Sequence, residues 1–361
     1  MAVQHLSIGL LSRLPNGVSL ERIDPLSGDR WDKDIINHPN LTIFHRSAWA
    51  RVLNETYGHQ PYYLKFISSE GSQTWVPLME VDSRLTGRRG VCLPFADFAG
   101  PLWSSAVDPE SVYQSLQQFA KEQKWKRLDI RHTEVSPHGA QPFISYDGHV
   151  LDLRQREDEL ERRLDTAVRR AIRKAARAGL EISIKTDAES TAAFYQLHCQ
   201  TRRRHGLPPQ PFRFFSSIQR NLLSQGLGEI VLATLHGKPI AGAVFLRSAG
   251  RAIYKFGASD PAHWETRPNQ WVMWHGIKHL IANGCSELHF GRTSRGDEGL
   301  SRFKRSWGCE SSELNYFRHD IRRNCWLSGA QSNSESHPLL FGWLPLALNR
   351  IAGQLIYPHL D

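Results

Sequence analysis

At 361 residues the chain is long enough for two cores, and an ordinary apolar share with 11 Trp and 16 Phe excludes disorder throughout. A net charge of +9 favours anionic partners such as nucleic acid, nucleotide-sugars, phospholipid headgroups or polyanionic glycans, although a basic enzyme without such a partner has the same balance. The five cysteines (Cys92, Cys199, Cys285, Cys309, Cys325) lack CxxC spacing and indicate neither a disulfide framework nor a zinc site, and Arg13, Glu21 and Arg22 interrupt any apolar run of a secretory signal, so packed thiols and a cytoplasmic location are expected.

The first half reads as an α+β domain. After a poorly patterned start, TIFHRSAWARVLNET (Thr42 to Thr56) places Phe44, Ala48, Val52 and Leu53 near helical spacing, and YYLKFI and TWVPLMEV read as strands. LPFADFAGPLW, Leu93 to Trp103, is too irregular for a strand and reads as an aromatic loop that lines something. A helix from Pro109 to Lys124 and a strand KRLDIRH follow.

The second half opens with a short strand, His149 to Leu153, and a charged helix from about Glu157 to Ala178. Leu160, Leu164, Val168, Ala171, Ile172 and Ala175 form its apolar stripe, and a one-signed run including Arg169, Arg173 and Lys174 covers the rest. That run reads equally as an anion-binding face and as a solvated one. LEISIKT is a strand and Ala188 to His205 a helix ending in TRRRHGLPPQP, a proline-stiffened basic corner whose Arg203 and Arg204 suit a diphosphate. Three antiparallel strands come next, GEIVLATLHG, PIAGAVFLRS and RAIYKFGAS, with turns at His236-Gly237-Lys238 and Ala249-Gly250. A helix from Asn269 to Asn283, a strand SELHFGR, a glycine-bearing loop, a basic-aromatic helix FKRSWG and a strand ELNYFRHD complete the core. The two strand ends, GASD and FGR, release polar residues beside a helix start and a loop, where α/β and α+β proteins tend to place sites.

This order is the layout expected of a GNAT-type acyltransferase core. TRRRHGLPPQP, YKFGASD, RPNQWVMWHGIKHLIANG, LHFGRT and GLSRFKRSWG, with LPFADFAGPL in the first half, together resemble the FemAB-like acyltransferases, particularly the exopolysaccharide (PEP-CTERM-associated) branch. The resemblance spans roughly Pro39 to Phe317. It implies an α+β protein of two tandem GNAT-like domains with a cleft between them, here 1–148 and 149–322, followed by an apolar tail, 323–361. It also implies transfer of an acyl or aminoacyl group to an amine of a cell-envelope, peptidoglycan-like or exopolysaccharide precursor. The chain lacks the long helical-hairpin insertion that some relatives carry, so tRNA is one candidate donor carrier and acyl-CoA the other. No tightly bound cofactor or metal is expected.

Such chemistry needs a positioned carbonyl and a donor aimed at the developing oxyanion. Lys304, desolvated beside Phe303 and Trp307, is the first choice for that donor, and it falls on the lysine of the relatives' FK motif. Asp97 is a candidate base, as are Asp297 and Glu298, while His205, His263, His275 and His289 are titratable alternatives with no constellation to choose among them. Tyr254 and Lys255 are expected on opposite sides of their strand, with Arg292 beside GASD if the strands are neighbours. The glycine turn with which ordinary GNAT enzymes cradle the coenzyme A diphosphate is replaced by RPNQWVMW, which argues against coenzyme A, while Asn269 and Gln270 at that helix start suit a carboxylate. A CoA-dependent N-acetyltransferase on a sugar amine, and a non-catalytic RNA- or glycan-binding module, are the alternatives. The end of the tail, His337 to Asp361, has Arg350 and Asp361 as its only formally charged residues; Pro345 and Pro358 argue against a spanning helix, leaving a lipid-surface contact or docking onto the protein.

Overall fold

The computed structural model describes residues 10–13, 18–329 and 343–361. They form two compact units: the chain to Ser145 with the segment from Leu314 and the residues Pro358–Asp361, and Tyr146–Glu313 with the segment ending at Tyr357.

The first unit is built from β1 (Leu10–Arg13), β2 (Ser19–Ile23), α1 (Arg30–Ile35), α2 (Ser47–Tyr57), β3 (Gln60–Ile67), β4 (Gln73–Ser83), β5 (Gly87–Val91), α3 (Pro109–Glu122) and β6 (Arg127–Arg131). The strands lie in chain order, antiparallel except for β5 and β6, which run parallel. Asp108 fixes the start of α3 by accepting from the amides of Glu110 and Ser111, with Pro109 in the first turn where a missing N–H costs nothing. Val112, Leu116, Phe119 and Ala120 then fall on one face and pack on Leu64, Phe66, Val76, Leu128 and Ile130. The expected helix from Thr42 is shorter: Thr42 and His45 cap a 3-10 turn, and α2 begins at Ser47.

The second unit runs through β7 (Ile144–Asp152), α4 (Glu157–Arg163), α5 (Thr166–Arg177), β8 (Glu181–Lys185), α6 (Ala188–Arg204), α7 (Phe212–Asn221), β9 (Gly228–Leu235), β10 (Lys238–Ser248), β11 (Arg251–Ser259), α8 (Pro268–Ala282), β12 (Glu287–His289), β13 (Thr293–Ser294) and α9 (Glu298–Arg305). Its strand order is β7-β12-β11-β10-β9-β8, with β13 against β7. Only β11 and β12 are parallel, because α8 crosses between them. The hairpin turns fall at His236-Gly237 and Ala249-Gly250, all with positive φ, as a two-residue turn of matching twist demands, and Lys238 already belongs to β10. α5 and α8 cover one face, burying Val168, Ile172, Val272, Met273 and Ile277 on Val231, Ala243 and Phe245. α6 and α7 cover the other, where Phe194 lies over Gly242, whose missing Cβ leaves the space.

Two local readings change. The single charged helix is two, because Leu164 is extended and Asp165 accepts from the amide of Ala167 to start a new helix. α7 is an additional helix, with Phe214, Phe215 and Ile218 on its buried side after Pro211. The chain then adds β14 (Glu310–Asp320), which pairs antiparallel with β6, and its hairpin partner β15 (Cys325–Leu327), so the strand read as closing the second half lies against the first unit's sheet. α10 (Leu346–Ile356) belongs to the second unit. Residues 330–342 of the apolar tail lie outside the described residues. Among those described, no helix is long and apolar enough to cross a membrane.

Candidate active site

β11 and β12 pair only from Arg251–Glu287 to Ile253–His289, after which β11 continues to Ser259 while the other chain turns to place Thr293 and Ser294 against β7. The parallel pair therefore parts at Ile253. On its other side β11 carries a bulge: Val244 faces Phe256 and Phe245 faces Tyr254, leaving Lys255 extra. The bulge reverses the alternation. Tyr254 packs with Phe245 and Phe290 under α8, whereas Phe256 meets His198, Phe214 and Phe215 on the α6 and α7 side. The Tyr254 hydroxyl lies over Gly257, where a Cβ would sit 1.6 Å from it, and burial pushes its pKa up to about 12. The Lys255 ammonium lies 5.6 Å from the Phe256 ring centre.

The end of β11 is tied to the start of α8: the Ser259 hydroxyl accepts from Trp264 Nε1 at 2.9 Å and from Asn269 Nδ2 at 3.1 Å. Asn269 thus serves the backbone junction, while its neighbour Gln270 borders a cavity of about 600 Å³. Two helices wall that cavity with the same spacing, Ala167, Arg170, Ala171 and Lys174 from α5, and Gly299, Arg302, Phe303 and Ser306 from the α9 segment. Arg267 and Gln270 from the first turn of α8 close it. Arg170, Lys174, Arg267 and Arg302 form no ion pair among the described residues, and the sole acid of the lining, Asp165, is occupied as the α5 cap. Four cations beside the positive end of a helix make a site for phosphate or carboxylate.

The expected residues divide. Gln270, Phe303 and Lys174 line this cavity; Arg169 donates to Thr166 and Arg173 is exposed, neither on the lining. Arg170 takes their place, and Arg302 and Arg267 were not singled out in the sequence at all. The i, i+4 relation of Arg170 to Lys174 and of Arg302 to Ser306 was the available signal. Arg203 and Arg204 border a second cavity, of about 590 Å³. Arg292 stacks on Tyr146, 4.7 Å from the ring centre, rather than beside GASD, because the strands have already parted. Asp97 belongs to the first unit, where its carbonyl accepts from the Tyr316 hydroxyl at 2.5 Å.

Lys304 is the main correction. Its helix turns Arg302 and Phe303 to the cavity and Lys304 the other way, into the core, where it is 3% exposed. Its ammonium donates to the carbonyls of Gly291 at 2.8 Å and Arg292 at 3.1 Å. Lys304 fastens the chain beyond β12 to α9 and does not line the cavity. Burial, aided by Lys304, lowers the pKa of His149. Burial also lowers His275, to about 4, and His205. His289 accepts from the amide of Gly291 at 2.8 Å.

Residues 162–305 match the family model described as an acetyltransferase (GNAT) domain. Among solved structures, FemX is similar at 16% identity and a TM-score of 0.67, covering 82% of this chain and 96% of FemX. A tandem GNAT protein from the clavulanic acid biosynthesis pathway is similar at 9% identity and TM-score 0.56, covering 84% and 98%. The C-terminal domain of a protein from Agrobacterium fabrum described as a lysylphosphatidylglycerol synthetase is similar at 13% identity and TM-score 0.52, covering 80% and 90%. No curated protein matches. The fold is GNAT-like, in the tandem form, and the second unit carries the acetyltransferase-type domain of an acyltransferase.

Proposed function

We propose that this acyltransferase forms an amide, moving an aminoacyl or acyl group from a phosphate-bearing donor onto an amine of a cell-envelope or exopolysaccharide precursor. The single observation that carries the reading is the cavity in which Arg170, Lys174 and Arg302 face Arg267 at the start of α8. Phosphates of the donor fit there, whether the diphosphate of an acyl-CoA or the backbone next to the acceptor end of an aminoacyl-tRNA. RPNQWVMW lacks the glycine turn, yet side-chain cations supply what backbone amides would, so the objection to coenzyme A loses its force. The acylated end lies along the parted edge of β11, near Tyr254 and Lys255. The attacking nitrogen forms the C–N bond, the donor's C–S or C–O bond breaks, and the proton shed by the amine balances the charge of the leaving thiolate or alkoxide. Lys304 acts as a positioning residue for Gly291 and Arg292. The acceptor class follows from the resemblance to FemAB-like acyltransferases and from a structural relative whose name joins lysine to a membrane lipid.

Binding separates the donors. Calorimetry with acetyl-CoA and filter binding with aminoacyl-tRNA should give micromolar affinity for one of them, weakened about tenfold by Arg302→Ala or Arg170→Ala. If neither donor binds, or both variants bind as the parent does, the cavity is not the donor site and the proposal fails.

A further inference from the structure

Away from this cavity, α10 is built inside out. It docks through Asn349, Gly353 and Tyr357, each one turn after the last. Asn349 Nδ2 donates to the Leu207 carbonyl at 3.4 Å, and Gly353 lies so close to the Leu207-Pro208-Pro209 corner that a Cβ would sit 1.9 Å from the Pro209 oxygen. The Tyr357 hydroxyl donates to the Pro208 carbonyl at 3.2 Å and accepts from Arg202 at 2.9 Å. The small and polar side thus faces the protein. The large apolar side chains face out: Leu348 is 51% exposed, Ile351 50%, Leu355 67%, and Trp343, just before the helix, 85%. A helix of a water-bathed protein normally has the reverse arrangement, and a contiguous stripe of this kind marks a surface that is covered in use.

Charge identifies the cover. From Trp343 to Ile356 the one charged residue is Arg350, and there is no carboxylate. Trp343 and Leu346 share the second cavity with Arg203 and Arg204; its lone acid, Asp260, caps the following turn and lies 3.7 Å from Lys238. Arg204 stacks on Trp264, itself 45% exposed, 4.8 Å from the ring centre. An aliphatic stripe bordered by indoles and guanidiniums matches acyl chains lying beneath anionic headgroups. A second copy of the chain docking symmetrically would bring these same cations together.

We propose that α10 and the Arg203–Arg204 corner form a docking surface for an anionic lipid bilayer, with Leu348, Ile351 and Leu355 entering the acyl region, Trp343 at the interface and the arginines on headgroup phosphates. The surface shares no residue with the donor cavity, so the proposal stands whichever donor the enzyme uses.

The test is co-sedimentation of the full chain with phosphatidylcholine vesicles with and without phosphatidylglycerol. Binding is expected only with phosphatidylglycerol. It should weaken at least about tenfold in the double variant Ile351→Glu/Leu355→Glu, and less, with a shallower salt dependence, in Arg203→Ala. Both altered helix positions are half exposed or more, so thermal melting should confirm an unchanged fold. Failure to bind phosphatidylglycerol vesicles, or equal binding by the double variant, overturns the proposal. So does a stable dimer without vesicle binding that the double substitution dissolves, which would give the stripe to a second copy.

Discussion

Replacing Lys304 by methionine separates fastening from catalysis. The substitution keeps the length and apolar stem of the side chain but removes both donors to the Gly291 and Arg292 carbonyls, at 2.8 and 3.1 Å. A hydrogen bond from a charged donor contributes about 1.5–3 kcal/mol, and the stranded carbonyls add a desolvation cost, partly offset because a buried charge also disappears. A net loss of about 3–5 kcal/mol follows, or roughly 6–20 °C of melting temperature for a unit of this size. Calorimetry reads the shift, and a donor-binding titration below the new melting point gives the second readout. The affinity should stay within about threefold of the parent, since Lys304 does not line the cavity. A variant that melts as the parent does, or that keeps its stability and loses donor binding, would refute the fastening role and return Lys304 to the substrate.

Gly257→Ala would put a Cβ 1.6 Å from the Tyr254 hydroxyl, so it should cost about 1–3 kcal/mol by denaturant unfolding, and Tyr254→Phe, which deletes the nearest clashing atom but keeps the ring carbon at 2.7 Å, should restore part of it. Burial lowers His198 to about 3 and His59 to about 4, whereas both take up protons near 6.5 once unfolded. The unfolded chain therefore binds more protons in that interval, and stability should fall as pH drops below about 6.5, by about 1.4 kcal/mol per pH unit for His198 alone; a melting temperature constant from about pH 7 to 5 would contradict this, and His198→Phe should flatten the slope. Of the five cysteines, Cys325 is exposed, Cys92, Cys199 and Cys285 are buried, and burial holds Cys309 at about 12 despite Lys304. A thiol reagent should find one fast site, lost in Cys325→Ser.

The sequence was enough for β9 to β11 and α8, because apolar runs broken at His236-Gly237 and Ala249-Gly250 mark the strands, a glycine easing each positive-φ turn, and α8 repeats at helical spacing. Local competition was harder to read: Asp165 ends one helix by starting another, and no periodicity announces a cap inside a continuous apolar stripe. In the segment after SELHFGR the resemblance favoured Lys304. Its neighbours Arg302 and Phe303 line the cavity instead, since successive residues on a helix point about 100° apart and only packing decides which of them meets the core. The same holds at the end of the chain. Composition marked the tail as apolar, while Gly353 against Pro209 and Asn349 against Leu207 decide that its small, polar side is the one turned inward. What the sequence by itself determined was the kind and order of the elements, which depend on neighbours along the chain; the tertiary structure alone decided which face of each helix is used, because that depends on atoms brought together from far apart in sequence.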